Sequence, residues 1–110
     1  MIGTETTRLP FLIHSGNQKF RINLPLQQPF GRDDIIQLCP DLRNAKIMRS
    51  VSRKHARIDI LKEKGKIFIS DLDSTNGTKI DGLKIPMARP TSIVKSNKIQ
   101  LGILELTLNN

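Results

Sequence analysis

The 110-residue sequence predicts an all-β domain, a sandwich of short strands, and three observations carry that expectation. Apolar residues alternate with polar ones over short runs, as in Phe20, Ile22 and Leu24, or Leu104, Leu106 and Leu108. Turn-forming residues separate these runs at regular spacing. Almost nowhere do apolar residues recur with the period of an amphipathic helix.

Taken in order, "LPFLIHSGNQKFRINLP" reads as a hairpin, an apolar run turning at Ser15-Gly16-Asn17 into the alternation Phe20, Ile22, Leu24. Asp33 to Val51 is irregular. Pro40 breaks it, and the expectation is a short strand at Ile35 to Leu38 followed by a long loop, too polar for a core element, of the kind that usually has a function. Ala56, Ile58 and Ile60 then alternate with Arg57 and Asp59; Lys64-Gly65 turns the chain, and Ile67 and Ile69 share a face of the next strand. Asn76-Gly77 and Asp81-Gly82 are tight-turn pairs that favour positive φ, and the interval between them leaves room for a very short strand, Thr78 to Ile80. The tail holds two more runs, with Gly102 as a bulge or bend between them.

This length suits one domain able to bury a core without cross-links. The single Cys39 has no partner in the chain, and no apolar run is long enough for a signal peptide or a membrane span, so an intracellular domain without membrane contact is expected. Residues 1–8, "MIGTETTR", are expected to form a flexible leader and residues 9–110 the domain, with Thr4, Thr6 and Thr7 either ordinary leader residues or sites open to a kinase. The formal net charge is +8, and between Arg43 and Arg57 there are six Lys or Arg and no acid, so that stretch is either a solvated basic loop or the place where an anion binds.

Catalysis finds little support. Two histidines and one cysteine offer no zinc spacing. Gly77 and Gly82 have the glycine spacing of a phosphate-binding P-loop, but Leu83 stands where that motif needs Lys. Ser52 and His55 diverge at a strand entrance, and no third group is evident to orient the imidazole, which reads better as a hydrogen-bonded strut than as a ligand contact. Nucleic-acid binding is the competing class. The charge suits it, but the four aromatics are scattered phenylalanines, and no helix is expected that would enter a major groove.

What the polar blocks share is oxyanion chemistry. "FGR" pairs the permissive Gly31 with the Arg32 guanidinium; "SVSRKH" supplies the Ser52 hydroxyl and Arg53; "STNG" supplies the Thr75 hydroxyl and the Asn76 amide. Each lies at a strand end, where a sandwich gathers its loops. Taken singly each has an ordinary structural reading: Asn76-Gly77 as a turn, Ser52 as a cap of its own loop, Arg32 as a surface residue.

In order, "FGRDD", "SVSRKHARI" and "DLDSTNGTKIDG" resemble the forkhead-associated (FHA) domain, whose signature is Gly-Arg, Ser-x-x-His and Asn-Gly. The resemblance runs from about Phe11 to Leu108. It implies a β-sandwich of about eleven strands with ligand-binding loops at one edge, and a non-enzymatic module that binds phosphothreonine peptides without metal or cofactor. It further implies that Arg32, Ser52, Arg53 and Thr75 hold the phosphate, that Asn76 holds the ligand main chain, and that Gly31, His55 and Gly77 shape the loops. The connection from Gly-Arg to Ser-x-x-His carries extra residues, among them Arg43, Lys46 and Arg49. The family's habit of reading the third residue after the phosphothreonine from this loop makes Arg49 the expected reader of an acidic residue there. A narrower likeness, in "RSVSRKHARIDI", "HSGNQKFRINLPL" and the Pro86 to Leu101 stretch, is to the N-terminal FHA domain of mediators of the DNA damage checkpoint; it implies a nuclear scaffold and damage-response kinases. FHA domains can also pair when one protomer's phosphothreonine enters its neighbour's pocket, which gives Thr4, Thr6 and Thr7 a role in a homodimer.

Overall fold

In the computed structural model, which describes residues 7–109, ten strands form two antiparallel sheets. β1 (Arg8–Ser15) and β2 (Gln18–Pro25) make the first hairpin, in register from Arg8 opposite Pro25 to Ser15 opposite Gln18, with Gly16 at φ 60° in the turn. β1 thus begins inside the segment expected to be leader, and the Thr7 carbonyl also accepts a bond from the Leu26 N–H. The remaining strands are β3 (Pro29–Phe30), β4 (Ala56–Leu61), β5 (Lys66–Asp71), β6 (Thr78–Ile80), β7 (Leu83–Lys84), β8 (Thr91–Ile93), β9 (Ile99–Leu101) and β10 (Leu104–Leu108).

One sheet runs β2-β1-β10-β9-β6-β7 and the other β3-β4-β5-β8. Their inner faces are the alternating apolar residues: Phe11, Ile13, Ile22, Leu24, Leu104 and Leu106 from the first, Phe30, Ile58, Ile67, Ile69 and Ile93 from the second, all buried. Each such side chain contributes roughly 1.5–3 kcal/mol by leaving water, so the period-two pattern is itself the force that pairs the sheets. The Asp81-Gly82 turn joins β6 to β7 with both residues at positive φ (50° and 85°), the geometry that matches strand twist in a two-residue hairpin. Among the described residues no helix is long and apolar enough to cross a membrane.

The stretch from Asp33 to Val51 differs from expectation. Arg32–Leu38 is a helix, α1, not a strand at Ile35 to Leu38. Asp33 and Asp34 sit in its first turn, where the peptide dipoles favour negative charge, and the Gly31 N–H donates to Asp34 Oδ2 at 2.9 Å. Ile35 and Cys39, four residues apart, are buried together, and Pro40, lacking an N–H, follows at once. Nor is the rest a loop too polar for the core: two 3-10 turns, Pro40–Leu42 and Lys46–Ser50, bury Leu42 and Met48. The connection is pinned at three apolar points, Ile35, Leu42 and Met48, and its cations are left outside.

Candidate functional site

The loops that carry the polar blocks meet at one end of the sandwich and are tied together mainly through their backbones. The Arg32 N–H donates to the Ser52 carbonyl (3.0 Å), and the His55 N–H to the Phe30 carbonyl (2.8 Å), so the Gly-Arg and Ser-x-x-His segments run side by side. Gly31 is there because nothing larger fits: a Cβ would run into the carbonyl oxygens of Ser52 and Arg53. Ser52 Oγ accepts the Thr75 N–H at 2.9 Å, bringing in the third block. Asn76 donates through its side-chain amide to the Ser50 carbonyl, also at 2.9 Å.

His55 lies beneath, fully buried, with both ring nitrogens engaged. Nδ1 accepts the Ser52 N–H (3.0 Å), which leaves the proton on Nε2 to be donated to the Gly77 carbonyl (3.0 Å). The imidazole therefore does have orienting groups, contrary to the sequence reading: the Gly77 carbonyl, and the Asp71 carboxylate 3.9 Å from Nε2. None of these bonds involves the Ser52 hydroxyl, so no nucleophile–base pair is formed here. Burial pushes the His55 pKa down, against the smaller opposing pull of the Gly77 carbonyl and the Asp71 charge.

Two residues that hold the edge together escaped the sequence reading. Asp71, buried at the end of β5, accepts from the Ser74 N–H and hydroxyl and from the Thr78 hydroxyl at 2.7 Å, shaping the Ser-Thr-Asn-Gly loop from within. Ser50 receives Asn76 at its carbonyl and the Ile103 N–H at its Oγ (2.9 Å), while Gly102, at φ 62°, packs so closely on it that a Cβ would strike the Ser50 carbonyl. The Gly102 N–H meets the same Gly77 carbonyl that His55 does. Asp71 had a local signal, an acceptor three residues before Ser74; Ser50 had none, because its partners lie 26 and 53 residues away.

On this frame Arg53, Thr75 and Asn76 are exposed, Ser52 is partly exposed and the Arg32 side chain keeps about 32% of its accessible surface. The only carboxylate near Arg32 among the described residues is Asp33, at 4.0 Å, too distant and too exposed to satisfy a guanidinium. Arg49 is exposed one turn before Ser52 and lines a groove together with Arg32. Thr7 is exposed ahead of β1, while Thr4 and Thr6 lie outside the described residues.

Fold and site together define a two-sheet sandwich that collects cations, hydroxyls and amides on loops at one edge. The chain belongs to the FHA family: the FHA domain model matches residues 30–102. A search of curated protein sequences returns no significant relative. Among solved structures the chain is similar to the FHA domain of the Chlamydia trachomatis protein CT664, with TM-score 0.66 and 24% identity over 94% of this chain and 97% of that one. An FHA domain studied for phosphothreonine-dependent interactions matches with TM-score 0.63 and 22% identity over 94% and 97%. The MEK1 FHA domain in complex with a HOP1 phosphothreonine peptide matches with TM-score 0.53 and 24% identity over 93% and 99%. At such identities the likeness is one of fold.

Proposed function

We propose that this domain binds phosphothreonine-containing segments of partner proteins, with Arg32, Ser52, Arg53 and Thr75 around the phosphate and Asn76 on the ligand main chain. The observation that carries the reading is the Thr75 N–H to Ser52 Oγ bond. It joins two of the three signature loops at the hydroxyl itself, and it uses that oxygen as acceptor, leaving its proton to be donated to an anion beside the Arg32 fork, which no carboxylate of the described residues approaches closer than 4.0 Å. The fold likeness to a family member held with a phosphothreonine peptide supports the same ligand class. In this role Gly31, His55 and Gly77 act by holding loops, Arg49 favours an acidic residue three places after the phosphothreonine, and the domain works as a non-catalytic adaptor. The narrower likeness to checkpoint mediators supports a nuclear, DNA-damage setting.

The test is titration calorimetry against an oriented phosphothreonine peptide library. Phosphothreonine peptides should bind, unphosphorylated ones should not, and an acid at the third position should add about 1 kcal/mol, the scale of a solvent-screened charge pair. Equal binding of phosphorylated and unphosphorylated peptides would refute the reading.

The same chemistry extends to self-association. With phosphate installed at Thr4, Thr6 or Thr7, two chains would each place a phosphothreonine in the other's pocket, and the closed twofold pair would raise the effective concentration of the second contact. Sedimentation of each singly phosphorylated form should show a dimer for at least one threonine. That dimer should dissolve on Arg32→Ala; monomers throughout would remove the proposal.

A further inference from the structure

Beside the loop edge lies a groove of about 270 Å³ whose floor is Ile36, Ala45 and Met48 and whose walls include Arg32, Arg43 and Arg49. The two arginines beyond Arg32 are not loosely hung. Arg43 follows the 3-10 turn whose Leu42 is buried, and its N–H is bonded to the Pro40 carbonyl; Arg49 follows the buried Met48 and precedes Ser50, which the Asn76 and Ile103 bonds hold in place. Core residues therefore set the positions from which both guanidiniums leave the backbone.

Elsewhere on the domain cations have found acids, Arg57 with Asp59 at 3.1 Å and Lys98 with Glu105 at 3.9 Å. Among the described residues neither Arg43 nor Arg49 has a carboxylate within 4.0 Å. Three like charges around one opening repel, and a bound anion relieves that repulsion. Guanidinium forks match the oxygens of a phosphate with paired bonds, and two of them supply the countercharge of a dianion, more than one carboxylate calls for. Arg32, shared between this groove and the proposed phosphothreonine pocket, places the second anion on the same ligand, within a few extended residues at roughly 3.3 Å each.

We propose that this groove receives a second phosphorylated side chain of the ligand, held by Arg43 and Arg49 with the Asn44 amide alongside, so that the domain reads doubly phosphorylated segments. The inference rests on the phosphothreonine reading and narrows its ligand class. Arg49's expected selectivity for an acidic residue then becomes one half of a two-arginine clamp.

The experiment titrates wild type and the Arg43→Ala/Arg49→Ala double variant with peptides that carry one fixed phosphothreonine and no other acid. A phosphoserine, or a glutamate in its place, is moved through four positions on either side. At one or two positions the second phosphate should tighten wild-type binding about tenfold, the scale of one or two new charge-assisted bonds, with the glutamate gaining clearly less. In the double variant the gain should fall below about twofold with the melting temperature near wild type, since two surface cations are removed and no anchor is touched; Arg43→Ala alone should lower the gain while leaving affinity for the singly phosphorylated peptide near wild type. An equal gain in the double variant, no gain at any position, or a glutamate as good as phosphoserine would overturn the second-phosphate assignment and leave the first pocket standing. Failure of wild type to bind even the singly phosphorylated peptides would overturn both.

Discussion

Arg32→Ala is expected to remove nearly all phosphopeptide affinity while leaving the fold intact. The guanidinium stands at the loop edge and, among the described residues, has only a marginal contact to Asp33, which leaves its fork to a phosphate; a phosphate deprived of it would be left facing hydroxyls and amides alone. Truncating one partner of such a charge pair costs roughly 2 to 5 kcal/mol, a loss of about 30-fold or more. Stability should be spared, because the backbone bond from residue 32 to the Ser52 carbonyl remains and Ala suits a helix start. Calorimetry with one phosphothreonine peptide, paired with a thermal melt, decides the matter; wild-type affinity in the variant would show that Arg32 is not in the pocket. The same variant speaks to the nucleic-acid alternative, where affinity is spread over many cations and falls steeply with salt: tight DNA binding that survives Arg32→Ala and Ser52→Ala would favour that class instead.

His55→Ala should do the converse, unfolding the domain far more readily than any change at its surface. Removing the ring leaves the Ser52 N–H and the Gly77 carbonyl without the partner that joined their loops, and it opens a cavity under the site. Together these should cost about 3 kcal/mol or more, and with each kcal/mol worth roughly 4–8 °C in a domain near this size, Tm should fall by on the order of 12–24 °C. The effect carries a pH signature. The folded-state pKa of His55 lies below the usual 6.5, so on acidification the unfolded chain takes up its proton first. The stability that neutral His55 supplies is therefore complete above about pH 6.5 and is lost as pH falls through the folded pKa, because a proton on Nδ1 would confront the Ser52 N–H. Urea unfolding of wild type and His55→Ala at about pH 7.5 and pH 5.5 should show the gap between them narrowing at the lower pH. A constant gap would mean that folding leaves the His55 pKa where it lies in the unfolded chain, and a widening gap that the buried ring is charged.

Much of this was readable in advance. The alternations at Phe20 to Leu24, Ala56 to Ile60 and Leu104 to Leu108 correspond to β2, β4 and β10. The interval between Asn76-Gly77 and Asp81-Gly82 holds a three-residue strand, Thr78–Ile80, as the turn chemistry required. Where the reading failed, it failed on short apolar stretches whose period cannot be told. "IIQL" is compatible with strand or helix, and what decided for α1 was a carboxylate, Asp34, placed to accept the Gly31 N–H, together with burial of Ile35 and Cys39 on one side. Leu42 and Met48 are each buried, yet isolated apolar residues among cations carry no period that would mark them as core.

The sequence by itself determined the strands with clear alternation, the tight turns and the types of donor at the edge: these depend on neighbours within a few residues, through side-chain alternation, through Gly at positive φ, and through the side chains present. The tertiary structure decided which of those donors meet. Arg32, Ser52 and Thr75 are separated by 20 and 23 residues, and they come together only because two sheets bury their inner faces against each other and thereby hold one end of every connecting loop in register. The bonds that hold the edge together, Thr75 to Ser52, Asn76 to Ser50 and His55 to Gly77, span 22 to 26 residues each. Their loop-closure entropy is met by the apolar core, a non-local sum over the whole chain that no window of the sequence displays.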